Sequence, residues 1–428
     1  MSIRILVVDD SVVIRKLLTA TLCEVPGLEV VATAALGKIA LSKISQCNPD
    51  IVILDLEMPE MDGIETLKHI RKIAPRLPVI MFSTRTERGA AATIEALTSG
   101  ASDYVAKPSN IGNVMAAMQR VREEMVPKIQ ALTAGTRSSL ARTTGGIPTL
   151  VPRPPTAPIA TSGLLPQVPQ TVLGTPAHAA SAHMTRTMRI PTLTQTTRMP
   201  LVARARGHTA NPLATDVPLR LTRPTGPRPP IEVVAIGAST GGPNALAMLL
   251  TELPAELPVP IVIVQHMLAT FTRHFAERLA TQCRIQIVEA RAGDALVAGC
   301  AYIARGDHHL LVERRAGRAS LAMNQGEVEN FCRPAVDVLF RSVAQLYGAS
   351  ALAVILTGMG HDGLLGCGAI RDAGGDVIVQ DEASSVVWGM PGFVARAGLA
   401  SQVMPLELLS GEIRRRVALG TRASQGRP

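Results

Sequence analysis

Two α/β domains joined by a long unstructured segment are what this 428-residue sequence predicts. Three observations carry that expectation. Short β-branched runs alternate with helical stretches through residues 1–125; the alternation resumes at 231 and lasts to about 418; between the two blocks it stops. Strands alternating with helices build a parallel sheet covered on both faces. The first block is therefore read as a doubly wound five-stranded parallel domain, and the second as an α/β domain with a mostly parallel sheet.

The first block opens with MSIRILVVDD, a strand ending in two acids with no signal-peptide pattern. The strands ILVV, LEVVAT, IVIL, PVIMF and DYVA follow one another with helices between them, and the first helix shows an apolar stripe at Ile14, Leu17, Leu18 and Leu22. Hydrophobic residues make up 47% of the chain but include only six Phe, three Tyr and one Trp, so the cores must be aliphatic. No apolar run reaches the roughly 18 residues of a membrane span, and a protein not inserted in a membrane is expected. The six cysteines are scattered without C-x-x-C spacing, which fits reduced thiols of a cytoplasmic protein.

Residues 126–230 are read as a disordered Pro/Thr/Arg-rich linker. From 131 to 230 they hold 16 of the 31 prolines, eleven arginines, no lysine, no aromatic residue and one acid, Asp216. Proline blocks helix, and little in the segment could offset the entropy of ordering it. The net charge of +9 resides here, since the rest of the chain sums to about −1. Arginines spread singly among prolines, without aromatics for stacking, make a weak nucleic-acid footprint, and no groove-reading element follows. No nucleic-acid partner is expected. A binding protein that uses the arginines on nucleic acid or an acidic surface is the alternative from another class.

In the second block IEVVAIG, PIVIVQ, IQIVEA, ALAVILTG and DVIVQD read as buried strands, with Pro243 and Pro334 opening two of the helices. AYIARG, HHLLVERR and SLAMN, with no helix between them, suggest a small antiparallel excursion.

Chemistry collects at strand ends. Asp9 and Asp10 end the first strand, Asp55 the third, Ser83 the fourth and Lys107 the fifth. Ligands of an open parallel sheet bind at the carboxyl ends of its strands, so these five can meet. Three carboxylates at one point call for a hard divalent cation, for which Mg²⁺ is suited. Lysine and a hydroxyl beside it could donate to a phosphoryl group on Asp55. Singly, each acid could be a helix cap, Asp10 above all. LVVDD, DLEMPEMDG, the hydroxyl after PVIMF and the Lys-Pro of AKP resemble the signature set of response-regulator receiver domains. The resemblance implies Asp55 as phospho-acceptor, Mg²⁺ held by Asp9, Asp10, Asp55 and the Glu57 carbonyl, Ser83 and Lys107 as readers of the phosphoryl group, and a cis Lys107-Pro108 bond.

Ser239 lies in GASTGG, between a strand and a helix, where glycines allow a tight turn and the helix start offers free amides. The spacing matches neither G-x-G-x-x-G nor a lysine-bearing phosphate loop. His266 follows PIVIVQ, and Asp362 follows ALAVILTG in GMGHDG. If those strands are neighbours, hydroxyl, imidazole and carboxylate converge as a nucleophile, its base and the group that orients the base. His361 competes with His266; His308 and His309 lack a clear metal-ligand set.

These motifs, with FTRHFAERL, NFCRPAVDVLF and DEASSVVWGMPG, resemble the catalytic domain of protein-glutamate methylesterases (CheB). The resemblance implies a phosphorylation-regulated hydrolase of glutamyl methyl esters on chemoreceptors that also deamidates glutamine. Its catalytic residues would be Ser239, His266 and Asp362, with amides near Thr240 and Met359 for the oxyanion and no cofactor in the catalytic domain. Methyl-accepting receptors and a histidine kinase are the implied partners. Two departures stand out: Cys332 occupies the place of histidine in the family's N-x-H-R-P, and the linker is longer than usual.

Overall fold

The computed structural model describes residues 2–84, 86–108, 114–143, 221 and 229–425. The first domain runs β1 (Ile3–Val8), α1 (Val12–Cys23), β2 (Leu28–Ala34), α2 (Gly37–Cys47), β3 (Ile51–Asp55), α3 (Gly63–Ile73), β4 (Val79–Ser83), α4 (Glu87–Thr98), β5 (Asp103–Ala106) and α5 (Val114–Thr143). All five strands are parallel, in the order β2-β1-β3-β4-β5. Polar residues set where helices start: Ser11, Asp62 and Thr86 each accept an amide of the first turn of α1, α3 and α4.

The boundary expected at residue 125 is corrected. Helix α5 runs through it to Thr143, with Pro127 inside. Met125, Ile129 and Leu132 continue the stripe begun by Val121 and are buried against β1 and α1, and that burial holds the helix despite the proline. Residues 144–220 and 222–228, the rest of the segment expected to be disordered, lie outside the described residues.

The second domain runs β6 (Val233–Ala238), α6 (Gly242–Thr251), β7 (Ile261–Gln265), α7 (Ala269–Ala280), β8 (Gln286–Glu289), β9 (Cys300–Ile303), β10 (His309–Arg315), β11 (Arg318–Asn324), α8 (Val336–Tyr347), β12 (Ala351–Ile355), α9 (Leu364–Asp372), β13 (Asp376–Gln380), α10 (Met390–Arg396), β14 (Gln402–Met404) and α11 (Leu406–Gln425). Seven strands form a parallel sheet, β14-β13-β12-β6-β7-β9-β8. Only β10 and β11 make the antiparallel hairpin. AYIARG belongs to the main sheet, because all four residues of β9 are buried, whereas β10 ends in exposed charges. Pro243 lies in the first turn of α6. Pro334 precedes α8, whose N-cap is Ala335. Helix α11 passes the boundary expected at 418.

The two domains touch through one continuous core, in which α4 of the first packs on α6 and α7 of the second. Tyr104 stacks on Phe271 with ring centroids 4.6 Å apart, an aromatic contact worth about 0.5–1.5 kcal/mol beyond burial. The Leu268 amide donates to the Tyr104 hydroxyl at 3.2 Å, and Asn244 Nδ2 donates to the Ala101 carbonyl at 3.2 Å. His274 pairs with Glu87 at 2.8 Å.

Candidate phosphorylation and active sites

At the carboxyl ends of β1, β3 and β5 the first domain gathers the residues its sequence singled out. Asp9, Asp55 and Ser83 are buried, and Asp10 is exposed. Ligand oxygens of Asp9, Asp10 and Asp55 lie within 4.8 Å of one another. Lys107 Nζ sits 2.7 Å from Asp55 Oδ1 and 2.9 Å from Asp9 Oδ2. Burial works against the Lys107 charge, yet Asp55 and Asp9 hold its pKa above the usual value. Asp55 is raised to about 6 by burial, with Lys107 pulling it down and Asp9 pushing it up. The Glu57 backbone hydrogen-bonds to Asp55. Ser83 Oγ accepts from Thr93 at 2.7 Å. Asp10 is no helix cap, for that position belongs to Ser11. The cis peptide among the described residues is Arg333-Pro334, not Lys107-Pro108; the small cis–trans gap of X-Pro bonds hides this choice from the sequence.

Oδ2 of Asp55 is buried with no hydrogen-bond partner among the described residues. An orphaned carboxylate oxygen beside two further acids fits a hard cation with oxygen ligands.

In the second domain β12, β6 and β7 are neighbours, so the residues leaving their ends share one edge of the sheet. Ser239 leaves β6 and is half-buried. Its turn is pinned by Ser239 N–H to the Thr357 carbonyl at 3.1 Å and Gly242 N–H to the Ser239 carbonyl at 2.7 Å. The turn tolerates no bulk: Gly241 has φ 77°, and a Cβ on Gly358 would come 2.9 Å from that of Ser239. Among the described residues the amides of Thr240 and Met359 donate to no protein acceptor, which leaves both open to a ligand.

His266 Nε2 bonds Asp362 Oδ2 at 2.8 Å, and Nδ1 faces Cys332 Sγ at 3.5 Å. Neither ring nitrogen bonds Ser239. Burial opposes the imidazolium, but Asp362 and Cys332 raise His266 to about 10. Asp362 is itself buried, which works against its charge. His266 and the amides of Val336 and Asp337 at the start of α8, 2.6 and 3.0 Å away, keep it below the usual carboxylate range.

One contributor escaped the sequence reading. Asn330 Nδ2 donates to both Asp362 Oδ1 (2.8 Å) and Asp337 Oδ2 (2.9 Å), joining two buried acids. Its only signal was its place in NFCRP. Of the rival histidines, His309 is a buried core residue held between the Glu327 carbonyl and the Ala335 amide, and His361 is exposed and edge-on to Phe393.

The first domain reaches this site. Thr240, next to Ser239, donates its hydroxyl to Asp103 Oδ2 at 2.6 Å. A cleft of about 310 Å³ between the domains is lined by Tyr104 and Lys128 on one side and by His266, Phe331, Cys332 and Met359 on the other.

Comparison with known proteins places both domains in known families. The response regulator receiver domain family matches residues 5–119, and the CheB methylesterase family matches residues 234–413. A protein-glutamate methylesterase/protein-glutamine glutaminase of Trichodesmium erythraeum is 45% identical over 414 residues, covering 97% of this chain and 99% of the relative. One from a Nocardioides species is 44% identical over 416 residues, covering 97% and 96%. One from Azospirillum brasilense is 39% identical over 414 residues, covering 96% and 92%. With a receiver and a methylesterase domain in this order and near-full-length identity of this size, the chain belongs to the protein-glutamate methylesterase/protein-glutamine glutaminase family.

Proposed function

We propose that the chain hydrolyses glutamyl γ-methyl esters, and the side-chain amides of glutamine, on the cytoplasmic helices of methyl-accepting chemoreceptors. Ser239 is the nucleophile, and its first domain controls access. The observation that carries this reading is that Ser239, His266 and Asp362 follow the ends of the adjacent strands β6, β7 and β12, with His266 bonded to Asp362.

Ser239 Oγ attacks the ester carbonyl as its proton passes to His266. Asp362 engages Nε2, so Nδ1 is the nitrogen left to act as base. The oxyanion finds the amides of Thr240 and Met359, each worth about 3–4 kcal/mol if typical of such donors. His266 returns the proton to the departing methanol, or to ammonia when the substrate is glutamine. Water then cleaves the acyl-enzyme by the same exchange in reverse.

Regulation begins at Asp55, phosphorylated by a histidine kinase. Asp9, Asp10, Asp55 and the Glu57 carbonyl would hold Mg²⁺, which supplies positive charge against the incoming phosphoryl group. Ser83 and Lys107 then donate to that group. The resulting shift reaches β5 and α4, whose contacts to Thr240, Asn244 and α7 cover the hydrolase cleft. A cytoplasmic place of action follows from the substrate, and no described helix is long and apolar enough to cross a membrane. Nothing at either site favours the nucleic-acid alternative.

The test is methanol release from a methylated receptor fragment. Ser239→Ala should lose on the order of 10³-fold or more, while Asp55 still takes phosphate from a small phosphodonor. Turnover near that of the wild type in Ser239→Ala would end the reading.

A further inference from the structure

The loop carrying Cys332 is built to hold one thiol in one place. Asn330 and Phe331 both have left-handed backbone, φ 53° and 62°, a conformation uncommon for non-glycine residues and least expected for a bulky one such as Phe331. The constraints are visible. Glu329 and Cys332 exchange backbone hydrogen bonds of 3.2 and 2.9 Å. Arg341 grips the Glu329 carboxylate in a fork of 2.7 and 2.6 Å. Asn330 is tied to Asp337 and Asp362.

What the loop presents is Sγ of Cys332, 3.5 Å from Nδ1 of an imidazole whose Nε2 is bonded to a buried carboxylate. A thiol beside an imidazole that a carboxylate holds in place has a base within reach for its proton as the sulfur reacts. No other cysteine has an imidazole partner among the described residues; Cys300 and Cys367 are buried, and Cys23 is exposed. The inter-domain cleft gives a small oxidant access to Cys332.

We propose that Cys332 is a redox modification site, oxidised by hydroperoxides to a sulfenic acid that reversibly withdraws His266 from Ser239. The proposal rests on the functional reading above for its consequence, though not for its chemistry. The thiolate sulfur attacks one peroxide oxygen and the O–O bond breaks. The departing hydroxide takes the imidazolium proton and leaves as water. Sulfur is oxidised by two electrons and the peroxide is reduced by two. Two equivalents of a small thiol reverse the step, giving the Cys332 thiol, a disulfide and water. Inhibition follows from geometry. Nδ1 is the nitrogen that Ser239 needs, and an added oxygen in a 3.5 Å gap both bonds it and fills its approach.

The full-length protein is treated with hydrogen peroxide in the presence of dimedone, and adducts are located by peptide mass. In parallel, ester hydrolysis is measured after catalase, with and without dithiothreitol. Cys332 should be trapped about tenfold faster than the exposed Cys23, and His266→Gln should slow that trapping by a similar factor. Activity should fall as the adduct site fills, and recover with dithiothreitol. Cys332→Ala, scored against its own untreated rate, should no longer respond to peroxide. Trapping of Cys332 no faster than Cys23, or peroxide inhibition persisting in Cys332→Ala, overturns the proposal. Trapping needs no esterase activity, so a chain that released no methanol would refute the functional reading alone and leave the thiol test standing.

Discussion

The hydroxyl of Thr240 and the carboxylate of Asp103 join the two domains across 2.6 Å, one residue from Ser239. Both residues are buried, and Lys128 holds the other Asp103 oxygen at 2.8 Å. Thr240→Val removes the donor while keeping the shape and the backbone amide. A hydrogen bond to a charged acceptor contributes about 1.5–3 kcal/mol, so the covered form should weaken by about tenfold or more. Basal methanol release should rise, and the ratio of phosphorylated to unphosphorylated rate should shrink toward one. An unchanged ratio would show that this bond does not hold the cover.

The proton on His266 should govern the basal rate. Its folded pKa of about 10 lies above the ordinary 6.5 because Asp362 and Cys332 outweigh burial. The charged ring stabilises the fold fully below 6.5, and that contribution is lost as pH rises through 10. A cationic ring cannot take the Ser239 proton, so kcat/KM of the unphosphorylated chain should climb well above neutral pH. Cys332→Ala removes one of the two partners and should move the rise to lower pH. Profiles of both proteins that level off below about pH 7 would contradict this assignment.

Asn330 should matter beyond its size. Asn330→Ala leaves Asp337 and Asp362 facing each other without their shared donor, a loss of about 1–3 kcal/mol for buried groups. Burial already raises the Asp337 pKa, with Asp362 adding to it. The destabilisation should therefore be larger near pH 8 than near pH 5, because acidification favours the proton-bound form of Asp337, which needs the donor least. Thermal melts at the two pH values decide it, and an equal loss at both would place the effect in packing.

Asp55 couples magnesium to pH. Burial raises it to about 6, so the fold gives up stability as pH rises through that value and the buried carboxylate ionises. The ceiling on that loss is about 3 kcal/mol for two pKa units. Mg²⁺ takes the ionised form, so its stabilising effect on the melting temperature should be small near pH 5 and grow toward pH 7.5. Asp55→Asn should melt higher than the wild type at pH 7.5 without metal and respond little to Mg²⁺. An Mg²⁺ shift of equal size at both pH values would place the ion elsewhere.

The sequence by itself determined the two alternating blocks, because strands buried on both faces must be runs of Val, Ile and Leu, and a parallel sheet needs a helix between them. It also determined which residues stand at strand ends: Asp9, Asp55 and Lys107 in one domain, and Ser239, His266 and Asp362 in the other. Strand order was not local information. Only the tertiary structure set β12 and β7 on either side of β6, placed AYIARG between β7 and β8, and carried α5 past Pro127 on the burial of Ile129 and Leu132. It alone turned Asn330 toward two carboxylates, set Cys332 rather than Ser239 against His266 Nδ1, and brought Asp103 to Thr240. The physical reason is shared by all of these. Each depends on contacts between segments far apart in the chain, which periodicity and spacing cannot encode one segment at a time.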